Sequence, residues 1–574
     1  MQRFRLVAFA IAIGFSTLTG CFDERLGMRT FTHEGSPPTP SVVIFFVDGL
    51  DHTRFNALLD DGKLPNIQRQ FVEGGVGVKN AVTSIPSVTY PNAVSLMTGC
   101  FPGHHGVLGN QWFDRNEFFL RDYSSALTYQ TVNTDFKNPT LFEVLDDKLT
   151  VNVRCHTRRG VTKSFDHALG TGIDWILTRF HHADERVGLT APMVAKYAQE
   201  SGRWPSIYLS YFPGVDATGH LRGSDSEAYE KGLIVADQAI GRITATVEKN
   251  HPGAPNYFIL VTDHSHVPAH RDQFADIYTW LKKSTGLRVH RGANEGSIPS
   301  WRQSHFDRCD AVFINGAYRR VTIHFKSDDG WSQRASTDNV EQIIRPDETG
   351  LCGGLPGIAL AGLRDGDDKV RVLSDHHTFE IERREFLETK RYRINEITPE
   401  DSSIASSRRV GRAHHAADAS DQQRAQPTTQ PHNDTDQPAR LAQLLREWSD
   451  GQWRSSREWL TKTAGSELPD FVPQIVEFFD SERAGDVILF ADGEWSFHKA
   501  EEGGHGSCLA VDMRIPMFFA GPGISKGTNI SAARLVDVMP TALDMLGELK
   551  RLEARPPIDG ISVLPQLRAA TTRP

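Results

Sequence analysis

Residues 41–49 read Ser-Val-Val-Ile-Phe-Phe-Val-Asp-Gly. From Ser41 to Val47 the run is apolar without alternation, the pattern of a strand covered on both faces, as in a parallel sheet between helices. It stops at Asp48-Gly49, so a carboxylate follows the C-terminal end of the strand, where open α/β sheets hold their ligands. An Asp at that point is equally a cap or turn residue, and Asp48 alone decides no chemistry.

The same pattern recurs outward. Residues 51–71 read as a helix, and Gly75 to Ala81 as a short strand leading into a loop at Thr89. Ser206 to Phe212 (SIYLSYF) is a second buried run, followed by Gly214-Val215-Asp216-Ala217-Thr218-Gly219-His220. Residues 226–249 carry apolar groups at helical spacing, and Tyr257 to Thr262 forms a third run ending at Asp263-His264. Strand–helix–strand alternation predicts an α/β fold, a mostly parallel central sheet with helices on its faces and right-handed crossovers. The catalytic core is expected in two parts, 41–280 and 485–574. Between 281 and 484 the pattern loosens into an insertion or cap that includes FVPQIVEFF (471–479). Residues 401–440, rich in Ser, Ala, Gln, Asp, Pro and His, read as a disordered segment. The core resumes with a strand at Asp486–Phe490, then Gly503-Gly504-His505-Gly506-Ser507, a run at 514–523, and a closing helix, VDVMPTALDMLG (536–547).

The chain has 574 residues, 39% hydrophobic and 24% charged, as in a soluble globular protein. Its net charge of −9 argues against a general nucleic-acid binder but permits a small anionic substrate, because metal ions reverse the local sign. Met1 to Arg5 is a cationic start, and the apolar stretch after it is too short to span a bilayer. It ends in Leu18-Thr19-Gly20-Cys21, which resembles the lipobox of bacterial lipoproteins. That resemblance implies a signal peptide at 1–20, lipid on Cys21 and a tether over 21–40. Phe22 in place of Asp implies retention at the outer membrane of the bacterial cell envelope, on its periplasmic or surface face. The other cysteines (Cys100, Cys155, Cys309, Cys352 and Cys508) contain no C-x-x-C pair, so a Cys-based zinc site is not expected. One or two disulfides are open to them in an oxidising compartment.

The stretch SVTYPNAVSLMTGCFPGHHGV (87–107) places Thr89 just before Pro91-Asn92, at the expected start of a helix. A hydroxyl there lies among unpaired N–H groups and the positive end of the helix dipole, where a phosphate docks. An N-capping threonine gives the same local pattern. Collected at strand ends and in these loops are Asp48, Thr89, Asp216, His220, Asp263, His264 and His505. Carboxylates mixed with imidazoles suit Zn²⁺, or Mn²⁺ or Fe²⁺, better than Ca²⁺ or Mg²⁺. Two such ions clamp the attacking and leaving oxygens of a phosphoryl transfer. Thr89 is then the candidate nucleophile, and Asn92 and the Tyr90 backbone N–H are candidates to hold a non-bridging phosphoryl oxygen.

The order V-D-G, T-Y-P-N, D-A-T-G-H, T-D-H and G-G-H-G, with SLMTG and FPGHHGV after Thr89, resembles the alkaline phosphatase superfamily. Within it the chain most resembles the type I phosphodiesterase/nucleotide pyrophosphatase branch, over everything from Asp48 to DVMPTALDML except 281–484. The resemblance implies one metal held by Asp216, His220 and His505, and a second held by Asp48, Asp263 and His264 with the Thr89 oxygen beside it. It implies a covalent Thr89 intermediate and a small phosphorylated substrate, with a phosphodiester or pyrophosphate bond hydrolysed. Sulfatases are disfavoured, because Thr89 and Ala93 stand where their C-x-P-x-R pattern has the nucleophile and Arg; Cys100-Phe101-Pro102-Gly103-His104 mimics its start without the Arg. Phosphomonoesterase, phosphonate hydrolase, transfer to an alcohol, and a non-catalytic binding lipoprotein remain alternatives. Asp375 and His377 compete with His505 as ligands. His104, His105, His266 and His270 read as structural or supporting groups.

Overall fold

The seven residues of β1 (Ser41–Val47) are all buried, and they alternate between two cores. Val42, Ile44 and Phe46 pack with Leu96, Met97, Met539 and Leu543, while Val43, Phe45 and Val47 pack with Phe55, Phe71, Ile240 and Ile243. Each such side chain contributes roughly 1.5–3 kcal/mol of burial, which is why both strand faces are apolar. The computed structural model describes residues 39–125, 128–166, 174–270, 272–292, 302–345, 350–397, 437–499 and 502–570. The expected signal peptide, Cys21, the tether to residue 38 and residues 401–436 lie outside the described residues.

Around β1 the strands are β2 (Gly75–Val82), β3 (Thr150–Val153), β4 (Lys163–Phe165), β5 (Ile207–Phe212) and β6 (Asn256–Val261). A second group follows: β7 (Val289–Arg291), β8 (Ala311–Ala317), β9 (Arg320–Ser327), β10 (Gly330–Arg334), β11 (Ile358–Arg364), β12 (Lys369–Ser374), β13 (His377–Phe386), β14 (Thr389–Ile397), β15 (Arg454–Ser455) and β16 (Val487–Ala491). The first sheet is completed by β17 (Arg514–Ile515), β18 (Met517–Ala520) and β19 (Thr528–Arg534). Its parallel block runs β4-β3-β5-β1-β6; β18 then lies antiparallel between β6 and β2, and β19 pairs parallel with β2. The expectation of a mostly parallel core sheet matches this order. The reading of 51–71 as one helix does not hold: Asp61 and Gly62, the latter at φ +69°, separate a helix at His52–Asp60 from one beginning at Pro65.

The expected cap is far more regular than its sequence implied. It forms a ten-stranded sheet, antiparallel except at β7/β8, in the order β7-β8-β9-β16-β11-β12-β13-β14-β15, with β10 on β9. Two further readings are corrected. The strand at Asp486–Phe490 does not reopen the core: β16 lies between β9 and β11 in the second sheet. A short, fully buried run satisfies a central strand of either sheet, so its pattern cannot say which. Residues 437–440 also begin a helix, Gln437–Trp448, which buries Leu441, Leu445 and Trp448. All five cysteines beyond Cys21 are free thiols, so none of the disulfides left open forms among the described residues. No helix among those residues is long and apolar enough to cross a membrane.

Candidate active site

Three adjacent parallel strands, β5, β1 and β6, end at the same edge and deliver most of the site. Asp48 follows β1. Asp216 and His220 lie one turn apart on the helix Gly214–Arg222 after β5, and Asp263 and His264 follow β6. The helix Thr89–Thr98 puts Thr89 at its first position, and Gly503–Gly504, paired with Val267–Pro268, leads in His505. Gly49 permits the closest approach: it sits at φ +61°, and a Cβ there would lie 2.5 Å from Asp216 Oδ1.

Thr89 Oγ1 is 3.2 Å from His264 Nε2. The same nitrogen is 3.4 Å from Asp48 Oδ1 and 3.5 Å from Asp263 Oδ2. On the other side, His220 Nε2 lies 3.4 Å from Asp216 Oδ2 and 3.2 Å from His505 Nε2. The rings of His264 and His505 stack at 3.5 Å. In each of these three histidines the other ring nitrogen, Nδ1, faces a backbone carbonyl: Ser265 at 2.8 Å, Gly503 at 3.0 Å and Ser87 at 2.9 Å. A carbonyl only accepts, so Nδ1 donates and each Nε2 is the nitrogen turned into the cluster. Metal-binding histidines are held in this way.

A metal fits these residues. Asp48 Oδ1, Asp216 Oδ1 and Asp263 Oδ2 are buried without a hydrogen-bond partner. No Lys or Arg among the described residues forms a salt bridge with any of the three carboxylates. Burial pushes the Asp48 carboxyl well up, with Asp263 and Asp216 adding to it. Burial alone would raise Asp216 as well, yet His220, with His505 and His264, holds it well below the usual carboxylate range. Burial drives His505 and His266 well below the usual imidazole value. Three carboxylates and three imidazole Nε2 atoms converge here, two of the nitrogens only 3.2 Å apart, a donor set that a divalent cation satisfies.

Donor atoms of Asp216, His220 and His505 lie within 4.8 Å of one another, the first ligand set the resemblance implied. The second close grouping is Asp48, Asp216 and His264, so Asp216 borders both halves of the site, while Asp263 turns Oδ2 to His264 Nε2 at 3.5 Å. Asp263 Oδ1 accepts instead from the backbone of Gly49 and His264 and from Thr262 Oγ1, leaving Oδ2 towards His264. Asp375 and His377 stand apart, at a hairpin of the second sheet, with His377 on Glu396. His270 is exposed and pairs with Glu494, and buried His105 meets Ser95 Oγ.

The phosphoryl-oxygen roles read for Asn92 and Tyr90 need correction. The buried Asn92 side chain donates to the carbonyls of Ser84, Pro86 and Val88, while its Oδ1 accepts from Ser84 N at 3.0 Å. It therefore clamps the loop behind Thr89 and has no capacity left for a ligand. The Tyr90 N–H donates to Asn110 Oδ1 at 3.2 Å, and its ring stacks on Tyr123. Sequence reasoning missed Asn110, which stands in no motif. It also missed Tyr211, whose hydroxyl donates to Asp48 Oδ2, and Tyr318, whose ring lies 4.4 Å from His220. Tyr211 reads as one more core residue of β5, and Tyr318 reaches in from the β8–β9 turn of the second sheet.

The family model for type I phosphodiesterase / nucleotide pyrophosphatase matches residues 42–332, half of the chain. The chain belongs to that family. Among curated members, ectonucleotide pyrophosphatase/phosphodiesterase 1 of Saccharomyces cerevisiae is 24% identical over 268 residues, 42% of this chain and 36% of its own length. Human ectonucleotide pyrophosphatase/phosphodiesterase family member 5 is 22% identical over 261 residues, 44% of this chain and 51% of its own length. The chain thus spans about half or less of the length of these two relatives. The phosphodiesterase fold extends further than the sequence match. Murine ectonucleotide pyrophosphatase/phosphodiesterase 5 superposes with a TM-score of 0.53 at 12% identity, covering 92% of this chain and all of that one. His505 lies beyond the matched residues of the family model, but within the fold it joins the phosphodiesterase motifs at one strand edge.

Proposed function

We propose that this chain is a metal-dependent hydrolase of phosphodiester or pyrophosphate bonds, with Thr89 as nucleophile. The observation that carries the reading is the Thr89 hydroxyl at a helix start, 3.2 Å from His264 Nε2, against a cluster of orphaned carboxylate oxygens and imidazole nitrogens. Family membership supports it, and one related structure, murine member 5 in complex with AMP, is an inactive Thr-to-Ala variant. Two divalent cations, best suited by the donor set to be Zn²⁺, would be held by Asp216, His220 and His505 and by Asp48, Asp263 and His264, and would supply charge stabilisation to the attacking and leaving oxygens.

The chain's own groups account for the rest. Thr89 Oγ1, losing its proton, attacks phosphorus as the P–O bond to the leaving group breaks and that group departs with a proton. Water then cleaves the phosphoryl–threonine ester and restores the hydroxyl, two easier steps in place of one. Asn110, whose Oδ1 accepts from the Tyr90 N–H next in sequence to Thr89, is assigned as donor through its Nδ2 to a non-bridging oxygen. Tyr211 fixes Asp48 through Oδ2, and the carbonyls of Ser265, Gly503 and Ser87 keep three imidazoles in one tautomer. The substrate is a small phosphorylated molecule. The proposed place of action is the bacterial cell envelope, with Cys21 as lipid anchor; loss of lipid labelling in Cys21→Ala tests that part.

The deciding assay compares bis-p-nitrophenyl phosphate with p-nitrophenyl phosphate after chelation and Zn²⁺ repletion, with Thr89→Ala as blank. Metal-dependent diester turnover that vanishes in Thr89→Ala is expected. Preference for the monoester would move the chain to a phosphatase on the same residues, and no bound metal would end the catalytic reading.

A further inference from the structure

His266 is a buried imidazole with no hydrogen-bond partner on either ring nitrogen. It differs in this from His264, His220 and His505, each anchored by a carbonyl. Leaving a buried polar group unsatisfied is destabilising, so the unpartnered ring calls for a use. The ring is confined between two glycines of the site's own motifs. A Cβ on Gly219 would lie 2.7 Å from His266 Nε2, and one on Gly503 2.5 Å from its Cε1. It meets the His220 ring edge-on at 4.9 Å. The carboxylate oxygen it faces is Asp216 Oδ1, 3.8 Å from Nε2, and that oxygen is itself orphaned.

We infer that His266 is a positioning residue for Asp216, donating its Nε2–H to Oδ1 so that Oδ2 stays turned to His220 and the cation these residues would share. The inference rests on the proposed metal-dependent function. At 3.8 Å the pair stands just beyond hydrogen-bond length, and polar contacts in active sites tighten when the bound partner arrives. Direct ligation by His266 is not what the geometry favours: its nitrogens fall outside the close grouping of Asp216, His220 and His505. Groups that orient ligands change metal affinity by roughly 10–100-fold when removed.

The test titrates Zn²⁺, with Co²⁺ as spectroscopic probe, into the chelated wild-type chain, His266→Ala and His266→Gln. Melting of the metal-free proteins checks their folding. His266→Ala is expected to weaken one of the two ions about 10–100-fold and alter the visible spectrum of its Co²⁺ form, leaving the other ion unchanged. His266→Gln, which keeps an N–H donor, should recover most of that loss; a purely space-filling role would not follow the donor. Wild-type affinities and spectrum in His266→Ala overturn the inference alone, as does equal weakening in His266→Gln with metal-free melting unchanged. A wild-type chain that takes up no ion overturns both the proposed function and this inference.

Discussion

Two clusters of histidine and carboxylate lie in this fold, and they are built on opposite principles. At the strand edge, His264, His220 and His505 turn Nε2 towards Asp48, Asp216 and Asp263. In the second, His104 sets Nε2 on Glu477 and Asp480 at 2.6 and 3.0 Å and Nδ1 on Asp559 at 2.7 Å. Its neighbours complete the neutralisation: Arg383 binds Asp480, Lys390 binds Glu477, and the Tyr392 hydroxyl donates to Glu477. Although burial opposes it, contact with Asp480, Asp559 and Glu477 raises His104 to about 12, so it is a fixed cation. His104, Glu477 and Asp480 also have the spacing of a metal grouping, but their protons and cations are already in place. A site that awaits a cation shows orphaned carboxylate oxygens; a structural hub shows none.

The comparison breaks most visibly at Thr89. Thr89→Ala should lower diester turnover by about 10³-fold or more while its urea midpoint stays at the wild-type value. Chelation should remove activity and also lower stability, by about 3 kcal/mol for free ion held a hundredfold above its dissociation constant; a melting curve insensitive to chelator would count against a resident cation. Asn110→Ala should reduce turnover about 10²-fold with little change in melting, if its amide is the proposed oxyanion donor. His104→Ala should do the reverse. Turnover is expected to stay within about twofold, and stability to fall by about 2 kcal/mol, less than a fully buried pair because the ring is partly exposed.

The smallest effect is in pH. His104 has its imidazole value raised by folding, so its contribution is complete below the unfolded value of about 6.5 and is lost as pH climbs towards the folded value near 12. The stability advantage of the wild type over His104→Gln should therefore shrink steadily from pH 7 to pH 10. An advantage that grew over that interval would mean His104 is neutral in the fold.

The two sheets differed as much in legibility as the two clusters. β1 and β5 are short, fully buried runs, β6 is buried but for Asn256 at its start, and each ends at a motif, so the core sheet and its edge could be read locally. β13 and β14 mix buried with half-exposed positions and are rich in charge, as in the run His377–Phe386, and their pairing with each other is what makes them strands. Asn92 failed as a ligand contact for a related reason. Its motif places it beside Thr89, but whether an amide points to a pocket or back into its own loop depends on carbonyls at Ser84, Pro86 and Val88.

The sequence by itself determined the parallel core, the helix start at Thr89 and the residues gathered at the strand ends, because burial period and local turn chemistry act over a few neighbours. Only the tertiary structure decided that β16 belongs to the second sheet and that Asp216 faces both halves of the site. It also decided that Asn92 turns back into its own loop while Asn110 meets the Tyr90 N–H, and that His104 is closed off while His266 is not. Those outcomes depend on which unsatisfied atoms meet across hundreds of residues, and local pattern does not encode that.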